Sequence, residues 1–250
     1  MSQHWFSVLP GSRAPLCRLY CLPYAGAGHT AYRHWRPLLS DQLELALAKL
    51  PGRGDRYKDP RPASIAELAD QIADAIASQG PHRFALFGHS MGALTAFEVA
   101  RRLVQRHGLA PEALFVSGRR APTAPGSLSK VLQLDDDGFL AHVRAMGGFP
   151  DELLAHEEAV AFFLPIIRAD FFWVDQHRHQ PGPPLPCPIA VFGGTNDGSA
   201  PVELLAGWSQ ETSAGCSTEL YEGGHFFLFP HQQAVLARVQ QQLGLAAVPA

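Results

Sequence analysis

Two patterns of apolar residues alternate along this chain of 250 residues: short continuous runs, and single residues three or four positions apart. Short apolar runs bounded by glycine or proline are typical of strands that are buried on both faces. They predict strands at residues 16–22, 43–50, 84–87, 113–117, 188–193 and 217–221. Between them, apolar residues three or four positions apart predict helices at residues 32–39, 65–78, 93–107, 202–209 and 232–243. This alternation favours the α/β class, with a mainly parallel twisted sheet and helices on both faces.

Two parts of the chain depart from this alternation. Residues 1–15 contain the breakers Pro10, Gly11 and Pro15, and we predict a loose leader there. Residues 121–186 are bracketed by prolines and carry helical patterns at 136–145, 151–154 and 156–175. The last of these is apolar nearly all round, as expected of a helix that is covered on both sides. We predict a single domain over all 250 residues, with residues 121–186 as a helical lid inserted within it.

Composition narrows the class of protein. A content of 46% hydrophobic and 17% charged residues is ordinary for a globular domain of this size. The first residues lack the basic region and apolar core of a signal peptide, and no apolar run reaches the length of a membrane span. Four cysteines in so long a chain do not make a disulfide framework. We therefore expect a cytoplasmic protein with reduced thiols and no contact with a membrane.

Charge is unevenly distributed along the chain. The net charge is −3, but residues 1–130 sum to +7 and residues 131–250 to −10. Such a dipolar chain would attract an acidic partner to one side, although an uneven scatter of solvated charges explains the numbers equally well. There is no basic run and no basic stripe interleaved with aromatic residues, so we do not expect nucleic-acid binding.

The sequence Gly-His-Ser-Met-Gly at residues 88–92 joins a predicted buried strand to a predicted helix. G-x-S-x-G in this setting is typical of a nucleophile elbow. The glycines leave room for a tight turn that lifts the hydroxyl of Ser90 clear of the sheet, and the helix N-terminus favours negative charge there. We predict that Ser90 is a nucleophile. The alternative is a turn whose serine merely caps the helix.

A nucleophilic serine needs a base and a group that orients the base. Among 12 histidines, His225 lies in a glycine-containing loop directly after the last predicted strand. Asp197 directly follows the preceding strand. Ligands bind at the carboxyl ends of the strands in such sheets, and the chain order Ser, Asp, His is that of the α/β-hydrolases. We predict that Asp197 orients His225 and that His225 activates Ser90.

Other acids and histidines compete for these roles. Asp170 and Asp175 fall in the predicted lid helix, where we expect solvent or hinge contacts. His89 adjoins the serine but is expected to pack or hydrogen-bond structurally. His177 and His179 lie at the lid hinge, where a metal site is the less favoured interpretation, and we expect no metal.

Two backbone N–H groups are needed to stabilise an oxyanion at the attacked carbonyl. One is expected from Met91, directly after the nucleophile, and the other from Ala25 in the loop that follows the first main strand. The Gly-Ala-Gly at residues 26–28 lacks the third glycine and the acid of a dinucleotide fingerprint, so we expect no cofactor.

Six segments spread over nearly the whole chain resemble the stand-alone type II thioesterases that accompany nonribosomal peptide and polyketide synthases. They are residues 22–28, 51–56, 87–93, 164–171, 193–197 and 223–228. Pro-Gly-Arg-Gly-Asp-Arg at 51–56 and Pro-Ile-Ile-Arg-Ala-Asp-Phe within 164–171 are the most specific. One departure is Tyr-Ala-Gly-Ala at residues 24–27, where many members have His-Ala-Gly-Gly. This change is expected to alter the mouth of the pocket and to leave the backbone donors in place.

The resemblance implies the α/β-hydrolase fold and a function. The expected substrate is an acyl thioester on the phosphopantetheine arm of an acyl or peptidyl carrier protein, and the expected use is the removal of misprimed or stalled acyl groups. Members are expected to act as monomers without a cofactor. Carriers tend to be acidic, which suits the positive excess of residues 1–130. The alternatives are a small-molecule carboxylesterase of the same fold and, from a different class, a non-catalytic acyl-binding protein.

Overall fold

The computed structural model describes residues 4–11, 14–80, 82–125, 128–148 and 156–246. Its centre is a seven-stranded sheet with the spatial order β1-β3-β2-β4-β5-β6-β7. The strands are β1 Phe6–Leu9, β2 Cys17–Leu22, β3 Leu43–Ala48, β4 Phe84–His89, β5 Leu114–Ser117, β6 Ile189–Gly194 and β7 Cys216–Tyr221. All neighbouring strands are parallel except β1 and β3. The predicted α/β class and mainly parallel sheet are confirmed.

Helices cover both faces of the sheet. They are α1 Ile65–Ala77, α2 Met91–His107, α3 Ser129–Leu132, α4 Asp136–Ala145, α5 Glu157–Gln176 and α6 Gln232–Gln242, with 3₁₀ segments at His29–Leu38, Gly54–Arg56, Val202–Leu204 and Ala206–Glu211. One core cluster packs α1 and α2 against the sheet, and a second packs α6 and the His29–Leu38 segment against the other face. Because β4, β5 and β6 are buried along their whole length, both clusters meet at the strands that lead to the candidate site.

The prediction of a loose leader over residues 1–15 is wrong for residues 6–9. Phe6–Leu9 forms an antiparallel edge strand on β3, with Phe6 opposite Ala48 and Leu9 opposite Leu45. Phe6 is buried, and its ring centroid lies 4.8 Å from that of Tyr20. Four residues give too short a pattern to indicate a strand, and the breakers that follow it end the strand rather than prevent it.

Two predicted helices form only 3₁₀ turns. The segment predicted at 32–39 is a 3₁₀ helix over His29–Leu38, and it contains Pro37. Proline has no N–H to donate and clashes with the preceding turn of an α-helix, which explains the tighter form. The segment predicted at 202–209 is split into the turns Val202–Leu204 and Ala206–Glu211.

Helices α3, α4 and α5 build a third apolar cluster, separate from the two that pack on the sheet. Its buried members are Phe139, Val143, Leu164, Ile167 and Phe171. The expectation that α5 is covered on both sides is only partly right, because Phe162 and Phe172 are 46% and 52% exposed. The helical pattern predicted at 151–154 lies outside the described residues. That residues 121–186 act as a lid stays a prediction.

Candidate active site

Ser90 lies at a backbone position that few residues adopt. Its φ of 55° and ψ of −116° make it the single non-glycine residue with positive φ in the described part of the chain. The turn also excludes side chains on either side: a Cβ on Gly88 would lie 2.1 Å from the carbonyl carbon of Gly92, and one on Gly92 would lie 2.1 Å from the carbonyl oxygen of Leu22. A strained residue that the surrounding fold holds in place is typical of a functional site.

His225 and Asp197 are hydrogen-bonded to each other. His225 Nδ1 lies 2.8 Å from Asp197 Oδ2, and both side chains are buried. Asp197 follows β6 and His225 follows β7, so two neighbouring strand ends bring the pair together. Since a carboxylate only accepts, Nδ1 carries the proton and the opposite ring nitrogen, Nε2, is left as an acceptor.

Asp197 is held as a carboxylate. Burial alone raises the pKa of this group, but hydrogen bonds from His225 and Ser199 outweigh burial and lower the pKa to about 2. The backbone N–H groups of Ser199 and Ala200 donate to Oδ1 at 2.9 and 3.2 Å. The Asp197 carboxylate is therefore ionised over the whole physiological range.

Ser199 is a member of this group that the sequence analysis missed. Its hydroxyl lies 2.7 Å from Asp197 Oδ1 and 2.8 Å from His225 Nδ1, so it contacts both partners of the pair. A serine two residues after an aspartate in a turn is a common local hydrogen-bonding arrangement, and this spacing was the available signal.

His89 packs beneath this pair, as expected. It is fully buried, with Nδ1 2.9 Å from Ser117 Oγ and its ring centroid 4.9 Å from that of His225. Burial, followed by the nearby His225, lowers the pKa of His89 well below 6.5. His89 is therefore a neutral ring at working pH and supports His225 through packing.

One cavity of about 450 Å³ contains every residue predicted for the site. Ala25, Ser90, Met91, Asp197 and His225 all contribute to its lining. The opposite side is lined mainly by residues of α4 and α5 together with the residue after α4, among them His142, Ala145, Met146, Phe171 and Val174. The polar groups thus face a largely apolar roof, which suits a substrate with a reactive polar centre and a short apolar chain.

Tyr24, the departure from the family pattern, belongs to the apolar wall. Its ring lies edge-on against His89 and Phe226, with centroids 6.0 and 5.0 Å away. It also lines a small annex of about 30 Å³ with Ile167 and Phe226, next to Ser90. Tyr24 thus contributes its ring to the wall of this annex, and its effect on the mouth of the pocket stays a prediction.

The expectation that Asp170 makes solvent or hinge contacts is wrong. Asp170 is fully buried, and its carboxylate accepts two hydrogen bonds from Arg53, at 2.6 and 2.7 Å, and one from Arg61 at 2.5 Å. It also accepts the backbone N–H of Gly26 at 2.8 Å. The partners lie more than 100 residues away, so a helical pattern alone does not reveal them. Asp170 is thus a structural link between α5 and the loop that carries Ala25.

The other competing residues, Asp175, His177 and His179, do not line the 450 Å³ cavity. Asp175 accepts the N–H of Leu128 at 2.6 Å. His177 and His179 lie 3.3 and 3.6 Å from the carboxylates of Glu98 and Glu211. The part of the chain that the structure describes contains no group of three or more residues suited to hold a metal ion.

The chain is similar to known thioesterases over nearly its whole length. The thioesterase domain family matches residues 17–243. The gramicidin S biosynthesis protein GrsT of Aneurinibacillus migulanus is 34% identical over 98% of this chain and 96% of its own length. The thioesterase PikA5 of Streptomyces venezuelae is 40% identical over 84% of this chain and 75% of its own. The structure of the type II thioesterase BorB from the borrelidin biosynthetic cluster superposes with a TM-score of 0.87 at 34% identity, covering 96% of this chain and 97% of BorB.

These matches confirm the resemblance found in the sequence. They extend over nearly the whole chain, at identities that indicate a common family and not merely a common fold. The sheet, its flanking helices and the cavity at the strand ends are those of an α/β-hydrolase. This chain belongs to the thioesterase family, and its structural relatives include the type II thioesterase BorB of the borrelidin biosynthetic cluster.

Proposed function

We propose that this chain hydrolyses acyl thioesters on the phosphopantetheine arms of carrier proteins, and so clears misprimed or stalled acyl groups from a nonribosomal peptide or polyketide assembly line. One observation carries the proposal. Ser90, at its strained elbow, and the hydrogen-bonded pair of His225 and Asp197 line the same cavity. The family and the type II thioesterases among its relatives support the choice of a thioester as substrate.

Acylation begins with the proton of Ser90. His225 Nε2 accepts it as Ser90 Oγ forms a bond to the thioester carbonyl carbon, and Asp197 stabilises the resulting imidazolium. The oxyanion accepts hydrogen bonds from the backbone N–H groups of Ala25 and Met91. When the tetrahedral intermediate collapses, the carbon–sulfur bond breaks. The pantetheine sulfur then leaves as a thiol with the proton that His225 held.

Deacylation repeats these steps with water as the nucleophile. His225 Nε2 accepts a proton from water as the water oxygen attacks the carbonyl carbon of the acyl-enzyme. The bond from that carbon to Ser90 Oγ then breaks, and His225 returns the proton to the serine. The products are a free carboxylic acid and a carrier with a free thiol, ready to be loaded again.

The distribution of charge supports an acidic partner, and the state of the cysteines supports a reducing compartment. The positive excess of residues 1–130 favours approach of an acidic carrier, whose field would be screened by salt. Three of the four cysteines are buried, and all four are free thiols, which fits a reducing compartment such as the cytoplasm.

A comparison of three substrates tests this function. We expect the kcat/KM for an acyl group on a carrier protein to exceed that for the same acyl group on free pantetheine, because only the first supplies protein contacts. The corresponding oxygen ester should be slowest, because an alcohol is a poorer leaving group than a thiol. A preference for the oxygen ester would identify the chain as a small-molecule carboxylesterase instead.

A further inference from the structure

Two consecutive arginines line the candidate active site without a role in the proposed reaction. Arg119 and Arg120 follow β5, whose last residue, Ser117, accepts the backbone N–H of Ser90 at 2.8 Å. Both arginines contribute to the lining of the 450 Å³ cavity. Strand ends that are hydrogen-bonded neighbours lie about 5 Å apart, so these guanidinium groups sit on the same rim as the nucleophile.

Neither guanidinium has a partner among the described residues. No ion pair or side-chain hydrogen bond reaches Arg119 or Arg120, and Arg119 Nε is buried without an acceptor. The buried Arg53 and Arg56, by contrast, are paired with carboxylates. Burial, followed by the neighbouring charge of Arg120, lowers the pKa of Arg119 to about 10. Both side chains are half-buried, so two adjacent guanidinium groups repel one another at the cavity, and a bound anion would relieve that repulsion.

A second cavity continues from these arginines. It has a volume of about 250 Å³ and shares Arg119, Arg120, Leu128 and Val174 with the main cavity. Arg178 adds a third guanidinium, which donates hydrogen bonds to the backbone carbonyl oxygens of Asp175 and His177. Three guanidinium groups line this cavity against one carboxylate, that of Asp175, which also accepts the N–H of Leu128. The region between the two cavities is therefore positively charged.

We propose that Arg119 and Arg120 bind an anionic oxygen group of the substrate while the thioester lies at Ser90. Guanidinium groups bind carboxylate and phosphate oxygens in pairs of hydrogen bonds, so either anion suits them. The anion has two sources: a carboxylate on the acyl group, held in the main cavity, or the phosphodiester of the pantetheine arm, held in the second cavity. The proposal rests on the proposed thioesterase function and adds a selectivity to it.

A structural role for these arginines is the competing interpretation. The backbone of Arg119 is held in place by Trp208, whose indole N–H donates to the Arg119 carbonyl oxygen at 2.8 Å. That contact involves no side-chain atom of Arg119, so substitution of the side chain preserves it. Two like charges side by side also repel one another and do not stabilise a fold by themselves.

Three small thioesters distinguish a carboxylate on the acyl group from the phosphate of the pantetheine arm. Butyryl-pantetheine is neutral, succinyl-pantetheine replaces its terminal methyl group with a carboxylate, and butyryl-phosphopantetheine adds a phosphate. We compare wild type with Arg119→Gln and Arg120→Gln, with Arg119→Lys to retain the charge. Arg33→Gln is the matched control, because Arg33 is exposed and lines neither cavity.

We expect Arg119→Gln and Arg120→Gln to lower kcat/KM about tenfold or more for one anionic thioester, and to lower kcat/KM for the neutral thioester much less. Loss on succinyl-pantetheine assigns the acyl carboxylate, and loss on butyryl-phosphopantetheine assigns the phosphodiester. Arg119→Lys should recover part of the loss, and Arg33→Gln should lose nothing. Equal effects on all three thioesters, or no effect on any, would overturn the proposal.

A binding measurement with ligands that are not hydrolysed tests the anion site independently of the proposed thioesterase function. Calorimetry with phosphopantetheine and with the succinyl amide of pantetheine, which the enzyme is not expected to cleave, reports the anion site directly. Wild type should bind at least one of them about tenfold more tightly than Arg119→Gln does. If wild type hydrolysed none of the thioesters but this difference held, the function would be wrong and the anion site right. Equal binding would refute the site.

Discussion

Asp170 on α5 accepts a hydrogen bond from the backbone N–H of Gly26, at 2.8 Å. The same carboxylate is paired with Arg53 and Arg61, and Arg53 donates in turn to the carbonyl oxygen of Ala27 at 3.0 Å. A helix of the predicted lid is thereby fixed to the loop that carries the proposed oxyanion donor. If residues 121–186 move as a lid, the part of α5 around Asp170 acts as their anchor.

Asp170→Asn should destabilise the protein strongly. The substitution leaves Arg53 buried without an anion, and removal of one partner of a buried ion pair typically costs about 3–5 kcal/mol. We expect that loss in the free energy of unfolding from denaturant titration, together with a lower kcat because the Ala25 loop is freed. Asp136→Asn is the control: Asp136 pairs with Arg168 but is 76% exposed, so its loss should stay below about 1 kcal/mol. Equal losses of unfolding free energy in the two variants would show that the buried ion pairs of Asp170 stabilise the protein no more than the exposed pair of Asp136 does.

Asp197→Asn should lower kcat by about three to four orders of magnitude with little change in KM, because the amide no longer fixes the His225 tautomer. Steady-state kinetics on an acyl-carrier thioester measures the effect. A loss of less than tenfold would argue that another group orients His225.

Stability should depend on pH through the same carboxylate. The pKa of Asp197 falls from 3.8 to about 2 on folding, so its ionised form contributes about 2 kcal/mol above pH 3.8. This contribution is lost as the pH falls through about 2. Denaturant unfolding of wild type and Asp197→Asn at several pH values checks the sign. The difference in unfolding free energy should narrow toward pH 2, and a gap that widened there would contradict the assignment.

Ser199→Ala should reduce kcat about tenfold and leave KM unchanged, because one hydrogen bond that positions the pair of Asp197 and His225 is lost. With that bond gone, the pKa of Asp197 should also rise, which moves the acid limb of the stability profile to higher pH. Ser209→Ala serves as the control, since Ser209 is exposed and its hydroxyl contacts only the carbonyl of Ala206. A rise in KM at constant kcat would place Ser199 in substrate binding instead.

Gly92→Ala should prevent the elbow from forming. The new Cβ would lie 2.1 Å from the carbonyl oxygen of Leu22, and the backbone of a buried strand cannot shift far enough to remove this overlap. We expect a loss of about 3 kcal/mol or more, or an insoluble product, by thermal unfolding and expression yield. Gly28→Ala has no atom within 4 Å of the new Cβ and should be nearly neutral. A stable, active Gly92→Ala variant would contradict the described turn.

Local patterns were sufficient to find the groups at the strand ends. The carboxyl ends of adjacent parallel strands meet at one edge of the sheet, so Asp197 and His225 could be paired once their strands were predicted. The G-x-S-x-G motif located Ser90 in the same way, and its glycines are required by distances of 2.1 Å. These features depend on the apolar pattern of the strands and on the position of each residue relative to a strand end, both of which can be read from the sequence.

Contacts between distant segments were not accessible in this way. Asp170 and Arg53 are 117 residues apart, and nothing in either local pattern indicates their pairing. The edge strand Phe6–Leu9 exists because β3 offers a free edge, which is a property of the assembled sheet. The unpaired state of Arg119 likewise depends on which side chains the fold brings near it.

The mass of a loaded carrier tests the central claim most directly. An acetyl- or butyryl-loaded carrier protein is incubated with wild type or Ser90→Ala, and the intact mass of the carrier is measured over time. With wild type the carrier should lose the mass of its acyl group and return to the free phosphopantetheine form. With Ser90→Ala the carrier should lose its acyl group only as slowly as it does by spontaneous hydrolysis. Equal unloading by both proteins would contradict the account.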